Sequence, residues 1–129
     1  MMRILLDTHT LVWLTAGKYV GPKAILAIQQ ADEVLVSALS IFELRIKQAG
    51  GKLPEAEDVI GSIGIMGFEV LNLTEQQTKN YKIFRQSNKD PFDNGLVSVA
   101  LAETLTLVTA DADILTLKQS GLVLINAKV

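Results

Sequence analysis

Three short segments, "RILLD" at 3–7, "EVLVS" at 33–37 and "LTLVTAD" at 105–111, carry nearly unbroken apolar cores and then stop on a polar or acidic residue. A strand covered on one face alternates apolar with polar residues. A strand covered on both faces, as in a parallel sheet, reads as a continuous apolar run. Longer segments of helical period separate these runs, which is the pattern of βαβ units. Strands are expected near Ile4–Leu6, Val34–Val36, Glu69–Leu71, Thr106–Val108 and Val123–Ile125. Helices are expected around Thr10–Ala16, Pro22–Gln30, Ile41–Ala49, Pro54–Ile63, Glu75–Gln86, Pro91–Glu103 and Ala112–Gln119, the third of them closed by Gly50 and Gly51. The fold class that follows is α/β: a three-layer α/β/α sandwich around a central parallel sheet, as a single domain over residues 1–129.

Composition agrees with a packed core. Hydrophobic residues make up 49% of the chain and charged residues 20%, which excludes a disordered or disulfide-stapled class. There is no cysteine, so thiolate ligands and cysteine nucleophiles are absent and a cytoplasmic location is permitted. Asp7 and His9 interrupt the apolar start, which argues against a signal peptide. No apolar run approaches the roughly 18 residues of a bilayer span, so no membrane is expected as a partner. A net charge of −2 neither demands nor excludes nucleic acid.

In parallel α/β sheets, chemistry gathers where the strands end. Asp7 follows the first strand directly, and Asp111 lies just past the strand around Val108. Glu43 falls near the start of the helix after Val34–Val36, and Asp93 in the first turn of the helix before Thr106–Val108. If these four carboxylates converge, repulsion of about 4 kcal/mol per pair at about 4 Å has to be relieved by protonation or by a divalent cation. Oxygen-only ligands favour Mg²⁺ or Mn²⁺. Helix capping accounts for the same residues without any metal. "DPFD" starts a helix with Asp90 as cap, "SIFE" reads as a capping box of Ser40 and Glu43, and Asp7 and Asp111 can each cap the helix that follows. Asp93 differs from Asp90, because it shares a helical face with Leu96, Val97 and Ala100 and so points inward.

Taken in order, "LLDTHTLVWL", "VSALSIFELRIKQAGGKL", "GFEVLNLT", "DPFDNGLVSVALAE" and "LVTADADI" cover nearly the whole chain. With these motifs at this spacing the chain resembles PIN-domain ribonucleases, and more closely the VapC-like toxins of bacterial toxin–antitoxin pairs. The resemblance implies a Mg²⁺- or Mn²⁺-dependent endoribonuclease, usually a homodimer, inhibited by a small antitoxin protein. Its acidic quartet falls on Asp7, Glu43, Asp93 and Asp111, with Asp113 as a further acid near the metal. Thr8, Ser40, Thr109 and Asp90 match supporting positions. The chain departs from the pattern at Asn88-Lys89, where His-Arg is frequent, at Asn94 in place of Arg, and at Ser98-Val99-Ala100 in place of Ala-Gln-Ala.

A metal-free ribonuclease needs positioned acids and bases, usually histidines, and His9 is the only histidine. His9 is read as structural or surface. Lys79, Lys82, Arg85 and Lys89 recur along one helix and are candidates for phosphate contact, with plain solvation as the alternative. Aromatic residues amount to 5% and form no evident row of stacking platforms. Two other classes are weighed: a PIN-like module that binds a protein partner without catalysis, and a phosphoacceptor receiver-like signalling domain. The latter fits poorly, since Leu6 rather than a second acid precedes Asp7, and Asn126 stands where a lysine belongs.

Overall fold

A computed structural model describes residues 1–84 and 90–129, with the backbone alone for 83 and 84. Five strands form one sheet: β1 (Arg3–Leu6), β2 (Glu33–Ser37), β3 (Glu69–Leu71), β4 (Thr106–Thr109) and β5 (Val123–Asn126). Among the described residues the helices are α1 (Thr8–Ala16), α2 (Pro22–Gln30), α3 (Ala38–Ala49), α4 (Ala56–Ile65), α5 (Glu75–Thr78), α6 (Tyr81–Phe84), α7 (Pro91–Glu103) and α8 (Ala112–Leu115). All pairings are parallel and the strand order is β3-β2-β1-β4-β5. Receiver domains use the order 2-1-3-4-5, so this topology removes that alternative.

Successive residues of a strand face opposite ways, and the two cores follow from that alternation. Ile4, Leu6, Val34, Val36 and Val108 pack beneath α1 to α4, against Leu11, Ile28, Leu44, Val59 and Ile63. Leu5, Leu35 and Leu107 face the other way, against Leu96, Val97, Val99 and Ala100 of α7 and Ile114 of α8. The result is the expected three-layer α/β/α sandwich with a parallel sheet at its centre.

Several boundaries differ from those expected. The helix expected over Glu75–Gln86 is divided: α5 stops at Thr78 and α6 begins at Tyr81. At the break the Thr78 hydroxyl bonds back to the Glu75 carbonyl at 2.7 Å, and the Gln77 carbonyl accepts from the Ser98 hydroxyl of α7. The last helix ends at Leu115 rather than Gln119, because the Leu117 N–H turns back to the Ile114 carbonyl at 3.0 Å. Gly50 and Gly51 do close α3, with Gly51 in the left-handed region at φ +71°. One contact controls spacing near the site: a Cβ on Gly95 of α7 would lie 2.4 Å from Leu39 Cδ2 of α3. Glycine there lets α3 and α7 approach closely near their N-terminal ends.

Candidate functional site

The sheet reverses its winding between β1 and β4, and a doubly wound sheet opens its crevice at the carboxyl ends of such neighbours. Asp7 and Asp111 both stand there. The Asp7 N–H donates to the Val108 carbonyl at 3.0 Å, completing the β1–β4 ladder. Its side chain then caps α1, with Oδ1 accepting the Thr10 N–H at 2.8 Å. Oδ2 accepts the Thr109 hydroxyl at 2.6 Å, and Thr109 Oγ1 accepts the Asp111 N–H at 3.1 Å. Asp111 Oδ1 in turn caps α8 through the Ile114 N–H at 2.9 Å. One threonine therefore ties the two aspartates of the central strands together.

Asp7 is buried, and desolvation pushes its carboxyl above the ordinary carboxylate value. The hydrogen bonds from Thr10 and Thr109 and the nearby His9 act the other way without cancelling it. Asp93 is buried as its helical face predicts, beside Leu96, Val97 and Ala100. Asp90 caps α7, its Oδ1 accepting the N–H groups of Phe92 at 2.9 Å and Asp93 at 3.3 Å.

"SIFE" is not a capping box. The strand β2 runs directly into α3, so Ser37 is the cap, accepting the Leu39 N–H at 3.1 Å. Ser40 and Glu43 consequently lie inside the helix, and both are buried. Ser40 Oγ accepts the Thr8 hydroxyl at 3.0 Å, joining the first turns of α1 and α3. Glu43 Oε2 meets Lys47 Nζ at 3.1 Å, while the buried Oε1 has no hydrogen-bond partner among the described residues.

The expected convergence of the quartet is incomplete. Among the described residues, no three acidic or histidine side chains are arranged to hold a common metal ion. The partners just named account for part of this: helix N-terminal amides hold Asp7 and Asp111, and Lys47 holds Glu43. The donor chemistry still fits a hard cation, since every candidate ligand is a carboxylate and one buried Glu43 oxygen has no hydrogen-bond partner among the described residues. Asp113 is exposed in the first turn of α8.

Three polar or aromatic residues outside the expected site, among them His9, which the sequence reads as structural or surface, line a cleft with two of its acids. A cleft of about 190 Å³ is lined by Asp7, His9, Trp13, Ala110, Asp111 and Lys128. His9 and Trp13 are four apart on α1, a spacing that signals one helical face. Lys128 carries no local signal, because only tertiary structure brings it there. Lys79 and Lys82 are exposed but do not line that cleft. Asn94, where the resemblance has Arg, is buried. Arg85 and Lys89 lie outside the described residues.

A family model described as PIN domain matches residues 4–119. No curated protein sequence matches. Among solved structures, VapBC2 from Rickettsia felis bound to a promoter DNA fragment is similar, with a TM-score of 0.71 at 20% identity over 97% of this chain and 98% of that one. VapBC-5 from Mycobacterium tuberculosis, a member of a toxin–antitoxin family, gives 0.70 at 16% identity over 97% and 98%. VapBC-1 from nontypeable Haemophilus influenzae gives 0.69 at 23% identity over 99% and 100%.

Proposed function

The chain belongs to the PIN domain family, and from that membership we propose that it is a Mg²⁺- or Mn²⁺-dependent endoribonuclease, the toxin of a toxin–antitoxin pair. The observation that carries the reading is the pairing of Asp7 with Asp111, through Thr109, where the two central strands end. The toxin assignment draws on the likeness to VapBC structures, and a cognate antitoxin, a homodimer and a cytoplasmic site of action belong to the same proposal.

Asp7, Glu43, Asp93 and Asp111 would hold the ion, with Asp113 at the margin. When bound, it supplies a nucleophilic water at neutral pH and neutralises charge building on the phosphate. Between them, the Thr109 hydroxyl on Oδ2 and the Thr10 N–H on Oδ1 fix the rotamer of Asp7. Thr8 and Ser40 lock α1 to α3, which holds Glu43 in register with Asp7. The Gly95–Leu39 contact does the same for α7, which carries Asp93. Asp90 acts by starting that helix.

The test is cleavage of single-stranded and structured RNA in Mg²⁺, Mn²⁺ and EDTA, beside Asp7→Asn and Asp93→Asn. Cleavage by the parent protein with either metal, lost in EDTA and in both variants, is the expected result. Activity that survives EDTA would remove the metal from the mechanism, and a catalytically inert parent protein would favour the binding-module alternative.

A further inference from the structure

The cleft beside Asp7 and Asp111 has two unlike walls. One is acidic, and the other is formed by Trp13, His9 and Lys128. Trp13 is half-buried with its ring centroid 6.2 Å from that of His9 and 5.8 Å from that of the exposed Tyr19. The Lys128 ammonium stands 6.0 Å from the indole centroid, within reach of a cation–π attraction.

This wall is held in place by backbone. Gly21 N–H donates to the Ala127 carbonyl at 2.8 Å, Lys23 N–H to the Val129 carbonyl at 3.0 Å, and Ala127 N–H to the Thr109 carbonyl at 2.8 Å. A Cβ on Gly21 would lie 2.4 Å from the Val129 carbonyl carbon, so glycine alone allows this approach. The segment 127–129 is thereby fixed between the start of α2 and the end of β4, and Lys128 is presented over Trp13.

We propose that this cleft is the subsite for one unpaired nucleotide of the RNA, with its base against Trp13 and its phosphate held by Lys128. The proposal rests on the nuclease reading above. A polyanion that comes up to two carboxylates needs a cation on the same cleft, and among the described residues that line it Lys128 is the lysine or arginine. An indole wall binds the face of a base, and a duplex keeps that face stacked on its neighbours. The subsite therefore selects single-stranded RNA and places the next phosphate along the strand beside Asp7 and Asp111.

The chain has one tryptophan, so its fluorescence reports this cleft directly. A short single-stranded oligoribonucleotide is titrated into the full-length protein in EDTA, and its affinity is also read by anisotropy of an end label. Saturable quenching is expected, with no quenching by a duplex of the same length. Lys128→Ala should weaken binding about threefold to tenfold and reduce the salt slope by roughly 0.7, the share of one phosphate on a single strand. Trp13→Leu should weaken it about tenfold, as loss of one stacked base does. Should Trp13→Leu fail to fold in a thermal melt, Lys128→Ala and the parent quenching decide. RNA that is bound or cleaved with unchanged indole emission and unaltered affinity in Lys128→Ala would overturn the subsite while leaving the nuclease reading intact. Quenching without cleavage in Mg²⁺ or Mn²⁺ would keep the subsite and overturn the nuclease reading.

Discussion

The hydroxyl of Thr109 lies 2.6 Å from Asp7 Oδ2, a contact between residues 102 positions apart in sequence. Thr109 Oγ1 also accepts the Asp111 N–H, so one buried side chain serves both aspartates of the cleft. Thr109→Val keeps the shape and removes both bonds. It should cost about 1–3 kcal/mol of stability, the range for leaving buried polar groups unsatisfied. Thr109→Ser should recover most of it. Urea denaturation in EDTA gives the comparison, and equal stability of the Val and Ser variants would mean that the hydroxyl is not the linking element.

Burial raises the Asp7 pKa above its ordinary 3.8. Between that value and the raised one, the native chain keeps a proton that the unfolded chain has released. Stability is therefore full below the ordinary value and falls as pH rises through the folded one. Asp7→Asn retains a capping side chain and cannot ionise. In EDTA its melting temperature, relative to the parent, should be higher at pH 7 than at pH 4. A difference that does not change with pH would show that Asp7 folds without a shifted pKa.

Asp90 and Asp93 should separate cleanly. Asp90→Ala removes a cap and should cost about 1 kcal/mol with cleavage largely retained. Asp93→Asn should leave the protein folded and reduce cleavage on the order of 10²-fold or more, as loss of a group acting on the transition state does. Matching losses of activity in two folded variants would contradict this division.

Lys47 occupies one oxygen of Glu43, and the Mg²⁺ proposed above would have to compete with its ammonium. A half-buried pair of this kind is worth up to about 1 kcal/mol. Lys47→Gln should then lower the Mg²⁺ concentration at half-maximal thermal stabilisation by several-fold, about fivefold for 1 kcal/mol. An unchanged midpoint would place the ion away from Glu43.

How much of this was legible in the sequence depends on how local each signal is. Strands buried on both faces announce themselves as apolar runs, and β1, β2 and β4 fell within a residue or so of expectation. Asp93 was legible as inward-facing because Leu96, Val97 and Ala100 mark the buried side of its helix. The start of α3 was misplaced because "VSALS" offers two serines able to cap. Only the length of β2, set by pairing with β1 and β3, selects Ser37 over Ser40. The break after Thr78 was illegible because it depends on Ser98, far along the chain. Lys128 was illegible for the same reason, since a missing Cβ on Gly21 puts it beside Trp13.

The order of pairing along the chain also sets a clock. A ribosome would deliver β1, β2 and β3, with Asp7 and Glu43, well before β4 emerges with Thr109 and Asp111. Until β4 slots in beside β1, Asp7 has no hydroxyl across from it and the cleft has only one side. On the nuclease reading proposed above, cutting competence would therefore wait on the pairing of the two halves of the sheet, since Asp7 and Asp111 meet only when β4 lies beside β1.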